Sequence, residues 1–222
     1  LLINLGITAL CAVCIHIFSI ALCAAVFRDK NASRRCVLRF GAVFSNCGFM
    51  SIPLQAALLG GDGVFYGAAF VAIFNLVLWS YGVLVMSGDK KTLSPVKLLL
   101  NPGVAGVVAG FLLFVFSVRL PQVISAPIDY MASLNTPLPM LIIGFYLSRT
   151  NLKQALLDKR QYLAILLRLV VIPLCTLVLM YLLHIRGVIL VVCVIAASAP
   201  VAAATTMFAA KFDRDTALSV NM

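Results

Sequence analysis

The sequence predicts an all-α integral membrane protein whose helices are interrupted in mid-membrane, and three observations predict it. Of its 222 residues, 63% are hydrophobic and 11% charged, with a mean hydropathy of +1.11. A water-soluble domain of this size could not solvate such a surface. The chain then divides into seven apolar runs, at about 3–27, 36–59, 63–87, 97–118, 122–148, 161–183 and 186–210. Each reaches the ~20 residues that cross a hydrocarbon core. Finally, the second and seventh runs carry polar residues and a proline in their middles, in "SNCGFMSIPLQ" (45–55) and "SAPVAAATT" (198–206). The runs are too long for outer-membrane barrel strands and lack their period-two alternation.

The first run has no basic segment ahead of it and exceeds a signal peptide in length, so it reads as a helix. The chain opens on Leu1 already inside that run and stops at "DTALSVNM" (215–222), which resembles the start of another span. The expectation is a fragment lacking helices at both ends. The second run contains Pro53, which removes an N–H and clashes with the carbonyl one turn back, so the helix is expected to open over Phe49–Pro53. Gly48 eases that unwinding. "GGDG" (60–63) separates it from the third run, and Arg119 separates the fourth from the fifth. "SRTNLKQALLDKRQ" (148–161) suits a short surface helix before the sixth. In the seventh run Pro200, followed by Thr205 and Thr206, is expected to open the helix as Pro53 does.

The formal charge of +10 is distributed unevenly. Basic residues crowd loops 28–39, 88–97, 149–160 and 211–214, and the intervening loops hold almost none. That alternation places the four rich loops in the cytoplasm. Nucleic-acid binding would need the charges gathered on one soluble surface, and is excluded. The cysteines fall mainly inside spans, where they pack as small apolar residues. "NAS" at 31–33 lies on the cytoplasmic side, so it is not read as a glycosylation site. The sequence has no Glu, which argues against a carboxylate cage for sodium or calcium. No motif for ATP binding appears, and no acid pair or Ser–His arrangement that an intramembrane enzyme needs.

Set against each other, 45–62 and 198–215 match Ser45 with Ser198, Ala56 with Ala209, Ala57 with Ala210 and Asp62 with Asp215. Both stretches begin polar, place a proline in mid-membrane and end at an Asp in a loop. Five spans separate those loops, so the two lie on opposite sides. An inverted repeat of this kind marks a secondary transporter with alternating access. Half-helix N-termini at the breaks would favour an anionic carboxylate. Ser45, Asn46, Thr205 and Thr206 would add neutral hydrogen-bonding groups. A simple proline kink in packed helices is the structural alternative for either span alone.

"FSNCGFMSIPL" (44–54) resembles the N-x-G-F-x-x-x-P-L signature of the auxin efflux carrier family, which includes bacterial malate and malonate permease-like members. "NPGVAGVVAGFLL" (101–113), "TPLPMLIIGFYL" (136–147), "LRLVVIPL" (167–174) and "APVAAATTMFAAKF" (199–212) are similar to that family's later helices, in order. The resemblance implies ten helices in two inverted repeats, of which this chain would hold seven. Residues 1–87 would be transport-domain helices with a crossover at 36–59. The scaffold pair would be 97–148, and 161–210 the second transport-domain part with a crossover at 186–210. Residues 211–222 would be a loop and a truncated helix.

It further implies an inner- or plasma-membrane carrier of a small mono- or dicarboxylate, moving elevator-fashion, with no cofactor, coupled to protons or sodium. A homodimer through the scaffold is implied as well. The candidate site comprises Ser45, Asn46, Cys47, Gly48, Pro53, Ala199, Pro200, Thr205 and Thr206, with Asn46 matching the family's ligand-contacting asparagine. Around Pro200 this chain offers only Ala and Thr where the plant carriers have a further polar position, which argues against the plant hormone as substrate.

Several residues keep two readings. His16 is either a hydrogen-bonded packing residue or a proton-coupling group, and Asp129 a helix-end residue or a coupling one. Arg168 either snorkels to the headgroups or attracts an anion. Asn75, Asn101 and Asn135 are expected to satisfy nearby backbone. A sodium-coupled carrier of the bile-acid symporter type and a sensory or non-transport membrane protein remain the alternatives.

Overall fold

A computed structural model of the protein describes residues 2–89, 102–134, 137–150 and 157–222, without the side chains of Leu2 and Pro102. Asn101 and Asn135, most of the basic loop 88–97 and the centre of the expected surface helix at 148–161 lie outside the described residues.

Helix α1 (Leu2–Val26) is apolar along its length and crosses first. Its free C-terminal carbonyls are met by Arg39, whose guanidinium donates to Phe27 O at 2.9 Å and Ala24 O at 3.1 Å. Asn31 starts α2 (Ala32–Val43) by accepting from the backbone N–H groups of Ser33 and Arg34. The "NAS" triplet is thus a helix cap. Helix α2 stops at Val43, and Phe44 is extended.

The chain resumes as a wide π-helical turn, Cys47–Ser51, that runs into α3 (Ile52–Val77). Pro53 occupies the first turn of α3, directly after the π turn, whose widened helix covers Phe49 one turn before the proline. The full interruption sits upstream of the proline, at 44–46, while the expected opening over Phe49–Pro53 is a widening of the helix into the π turn Cys47–Ser51 rather than a break. At Gly60, with φ 63° and ψ −145°, α3 reverses its course. The two arms then press together: a Cβ on Gly67 would strike the Gln55 side chain, and one on Gly63 the Gln55 carbonyl. This reversal is the expected division between the second and third runs. A second π turn, Leu78–Gly82, leads into α4 (Val83–Ser87). Arg214 closes the end of α4 by donating to Met86 O at 2.7 Å and Ser87 O at 2.8 Å.

Helix α5 (Pro102–Val115) packs on α3. Helix α6 (Gln122–Ser133) keeps most of its apolar surface open, Val123 at 86% exposure, as a helix facing lipid does. Helix α7 (Pro137–Ser148) leans on the helices Ala204–Lys211 and Thr216–Asn221. Asp158 caps α8 (Lys159–Leu166) and pairs with Arg34 at 2.6 Å, fastening α8 to α2. A π turn at Leu167–Val171 joins α8 to α9 (Ile172–Leu182).

Helix α10 (Val188–Ser198) ends at Ala199, which is extended, and α11 (Ala204–Lys211) begins after Ala203. Asp215 caps α12 (Thr216–Asn221), which packs against α2 and α7. Among the described residues, four helical stretches are long and apolar enough to cross a membrane, and the interrupted α10 and the described part of α5 are shorter apolar helices. No strand longer than a single bridge occurs among them.

Candidate functional site at the crossing of two broken helices

Both interruptions fall at one place. Ser45 and Val201 form an isolated antiparallel bridge. The Asn46 N–H donates to Pro200 O at 2.7 Å, and the Ala202 N–H donates to Phe44 O at 3.0 Å. Each break thus satisfies the other's freed backbone groups, which in a bilayer would otherwise cost several kcal/mol apiece. Side chains extend the seam. Ser51 Oγ donates to Ile195 O at 3.4 Å and Gln55 Nε2 to Val192 O at 3.1 Å, so the start of α3 runs along α10.

Four helix ends converge here. The C-termini of α2 and α10 point in, and so do the N-termini of the π turn leading to α3 and of α11. The C-termini share one partner, Arg168. Its guanidinium donates to Val43 O at 2.9 Å and Ala42 O at 3.3 Å on α2, and also to Ala197 O on α10. The side chain is 2% exposed. The snorkelling reading of Arg168 does not hold, because the side chain is buried and binds carbonyls from two chain segments more than 150 residues apart. It is not among the residues that line the cavity at this crossing, so any pull on an anion would act at a distance.

The N-termini face open space instead. Neither Asn46 nor Ala203 makes a side-chain cap; the Thr205 N–H donates to Ala202 O at 2.9 Å, and the remaining first N–H groups have no intrahelical acceptor. A cavity of about 410 Å³ lies against them. Ser45, Asn46, Gly48 and Phe49 line it from one break, and Ala202, Ala203, Ala204 and Met207 from the other. Val71, Phe74, Asn75 and Leu78 form a second wall, and Leu134, Leu138 and Pro139 of the α6–α7 segment a third.

Of the residues singled out from sequence, Ser45, Asn46 and Gly48 line this cavity. Cys47 is buried beneath it, Pro53 stands further along α3, and Ala199 and Pro200 supply the seam. Thr205 and Thr206 turn into the bundle. Thr206 Oγ1 accepts from Ser219 at 3.4 Å, while Thr205 Oγ1 is buried without a hydrogen-bond partner. His16 places its ring among Phe44, Phe70 and Phe74, with Nδ1 2.7 Å from Ala12 O. Asp129 is exposed on α6 and is not among the cavity-lining residues.

Asn75 is the polar residue that sequence reasoning missed as a site. Its Nδ2 bonds Val71 O at 2.9 Å, as a packing asparagine does, yet it also lines the cavity. The available signal was a lone amide in an otherwise apolar run, Phe70–Leu78. Among the described residues, no group of three or more His, Cys, Asp or Glu is placed to hold a metal.

A family model described as membrane transport protein matches residues 2–95 and 92–222. The chain belongs to that family. It is the family of the auxin efflux carriers that the Asn46–Leu54 motif resembles, so this member is a multi-pass membrane transporter. No curated protein matches its sequence.

Proposed function

We propose that this transporter moves a small organic anion, a mono- or dicarboxylate, by alternating access. The observation that supports this most is the pair of uncapped helix N-termini opening on one cavity beside the Asn46 amide. Free N–H groups at a positive helix end favour a carboxylate over a neutral or cationic solute. Ser45 and Asn75 add neutral donors and acceptors, and Phe49, Phe74 and Met207 supply an apolar wall for the rest of the ligand. In this reading the cavity walls from the two breaks and α3 would move, and the α6–α7 segment would stand still. Sliding the first past the second would carry the ligand elevator-fashion, driven by a proton or sodium gradient. Loops 28–39, 88–97, 149–160 and 211–214 face the cytoplasm of a cell or inner membrane, and two copies pair through the scaffold.

The test is a thermal-shift screen of the intact protein against malate, malonate, acetate and aromatic carboxylates, with and without sodium. Stabilisation by at least one carboxylate, lost on Asn46→Ala, is expected. Stabilisation by none, or stabilisation that Asn46→Ala leaves untouched, would overturn the site assignment.

A further inference from the structure

Arg168 carries a full charge into the bundle with no acid beside it. The ion pairs among the described residues are Arg34 with Asp158 and Arg160 with Asp29, both elsewhere. An uncompensated buried charge is costly, and several kcal/mol is typical even after relaxation. What balances this one is a pair of helix ends. Each C-terminus is equivalent to roughly −0.5 charge, so two sum to about −1 and offset one guanidinium. The two N-termini at the same crossing, roughly +0.5 each, have no such partner and border the cavity.

We propose that Arg168 is a positioning residue that sets the electrostatic sign of the cavity. By cancelling the C-terminal ends of α2 and α10, it leaves the N-terminal ends as the field that a ligand meets. Without it, four half-helix ends would sum to nothing and the crossing would hold no preference between anion and cation. With it, the crossing is left about one unit positive, which matches a single carboxylate group. This role deepens the anion reading of the cavity and rests on it.

The test reads the field directly and needs no knowledge of the natural substrate. Ala204 lines the cavity and is partly exposed. In the full-length protein, Ala204→Cys is treated with an anionic reagent (sulfonatoethyl methanethiosulfonate) or a cationic one (trimethylammonioethyl methanethiosulfonate). The thiolate attacks the reagent's sulfenyl sulfur, forming a disulfide and releasing methanesulfinate. The chain without Ala204→Cys gives the background from its own thiols.

The ratio of anionic to cationic rate is expected to favour the anion, and to fall about tenfold on adding Arg168→Gln, as loss of a partly buried helix-end charge predicts. Loosening of the fold would speed both reagents alike and leave the ratio unmoved. Arg168→Lys, which keeps the charge with fewer donors, restores the ratio at least in part. If Arg168→Gln does not accumulate in the membrane, Arg168→Lys decides alone: a ratio near parent supports the proposal and a collapsed ratio overturns it. A reactive thiol whose ratio ignores Arg168→Gln overturns the proposal and leaves the anion site standing. An Ala204→Cys thiol that neither reagent reaches overturns both.

Discussion

Asn46 gives its backbone N–H to Pro200 at 2.7 Å, so an asparagine of the first broken helix and a proline of the second hold each other in place. This contact frees the Asn46 side chain, which makes no cap, to face the cavity. Replacing Asn46 with Ala keeps the backbone bond and removes the amide. Uptake of the transported carboxylate is expected to weaken by about 10- to 100-fold, the 1.5–3 kcal/mol of a hydrogen bond to a charged group. The amount inserted in the membrane should not change, as surface labelling or fluorescence size exclusion would read.

Gly67 is expected to tolerate no side chain. The Gln55 amide lies where its Cβ would stand, and Gln55 Nε2 is held by Val192 O at 3.1 Å. Gly67→Ala must push the amide off that carbonyl or spread the α3 hairpin, at a cost of about 1–3 kcal/mol. A lowered thermal midpoint in detergent checks this. Combining it with Gln55→Ala should recover part of the loss, since the nearest obstructing group is then gone and only the end of the Ile52 side chain, 2.8 Å from the new Cβ, has to give way.

His16 is expected to act through packing. Its contacts are three phenylalanine rings and the Ala12 carbonyl. His16→Gln should lower stability by about 1–3 kcal/mol, the range of a disturbed core. The shape of the uptake-versus-pH profile should stay as in the parent. A flattened profile with normal stability would assign His16 to coupling instead.

Asp158 serves twice, as the cap of α8 and as the partner of Arg34. Asp158→Asn retains a capping oxygen and loses the charge, so the cost should stay within about 1 kcal/mol, as for a partly exposed ion pair. Asp158→Ala loses the cap as well and should cost roughly a further 1 kcal/mol. Chemical denaturation of the two variants side by side separates the contributions.

Much of this architecture was legible in the residues. Hydropathy located the membrane helices, and "GGDG" marked the reversal at Gly60 because a left-handed φ there suits glycine. Polar residues at Ser45 and Asn46 flagged the first break. Its position was misread from Pro53, since proline both breaks helices and begins them, and only the upstream chain tells which. Arg168 was opaque for another reason. Its partners, Ala42, Val43 and Ala197, are carbonyls, and no side-chain pattern announces where a carbonyl will be left free. Arg39 and Arg214 show the same habit on α1 and α4. Part of the basic charge that the sequence assigns to loops is therefore spent on helix ends.

The crossing itself is tested most directly by one cross-link. Ser45 and Val201 are bridged with the hydrogen bonds flanking them, the arrangement that brings paired Cα atoms to about 4.5 Å, within disulfide reach. In the full-length protein in native membranes, Ser45→Cys with Val201→Cys should form a disulfide almost completely under mild oxidation, and neither single variant should. A double variant whose two new thiols stay free, in protein that is inserted and intact, would contradict the meeting of the two broken helices on which the transport site is built.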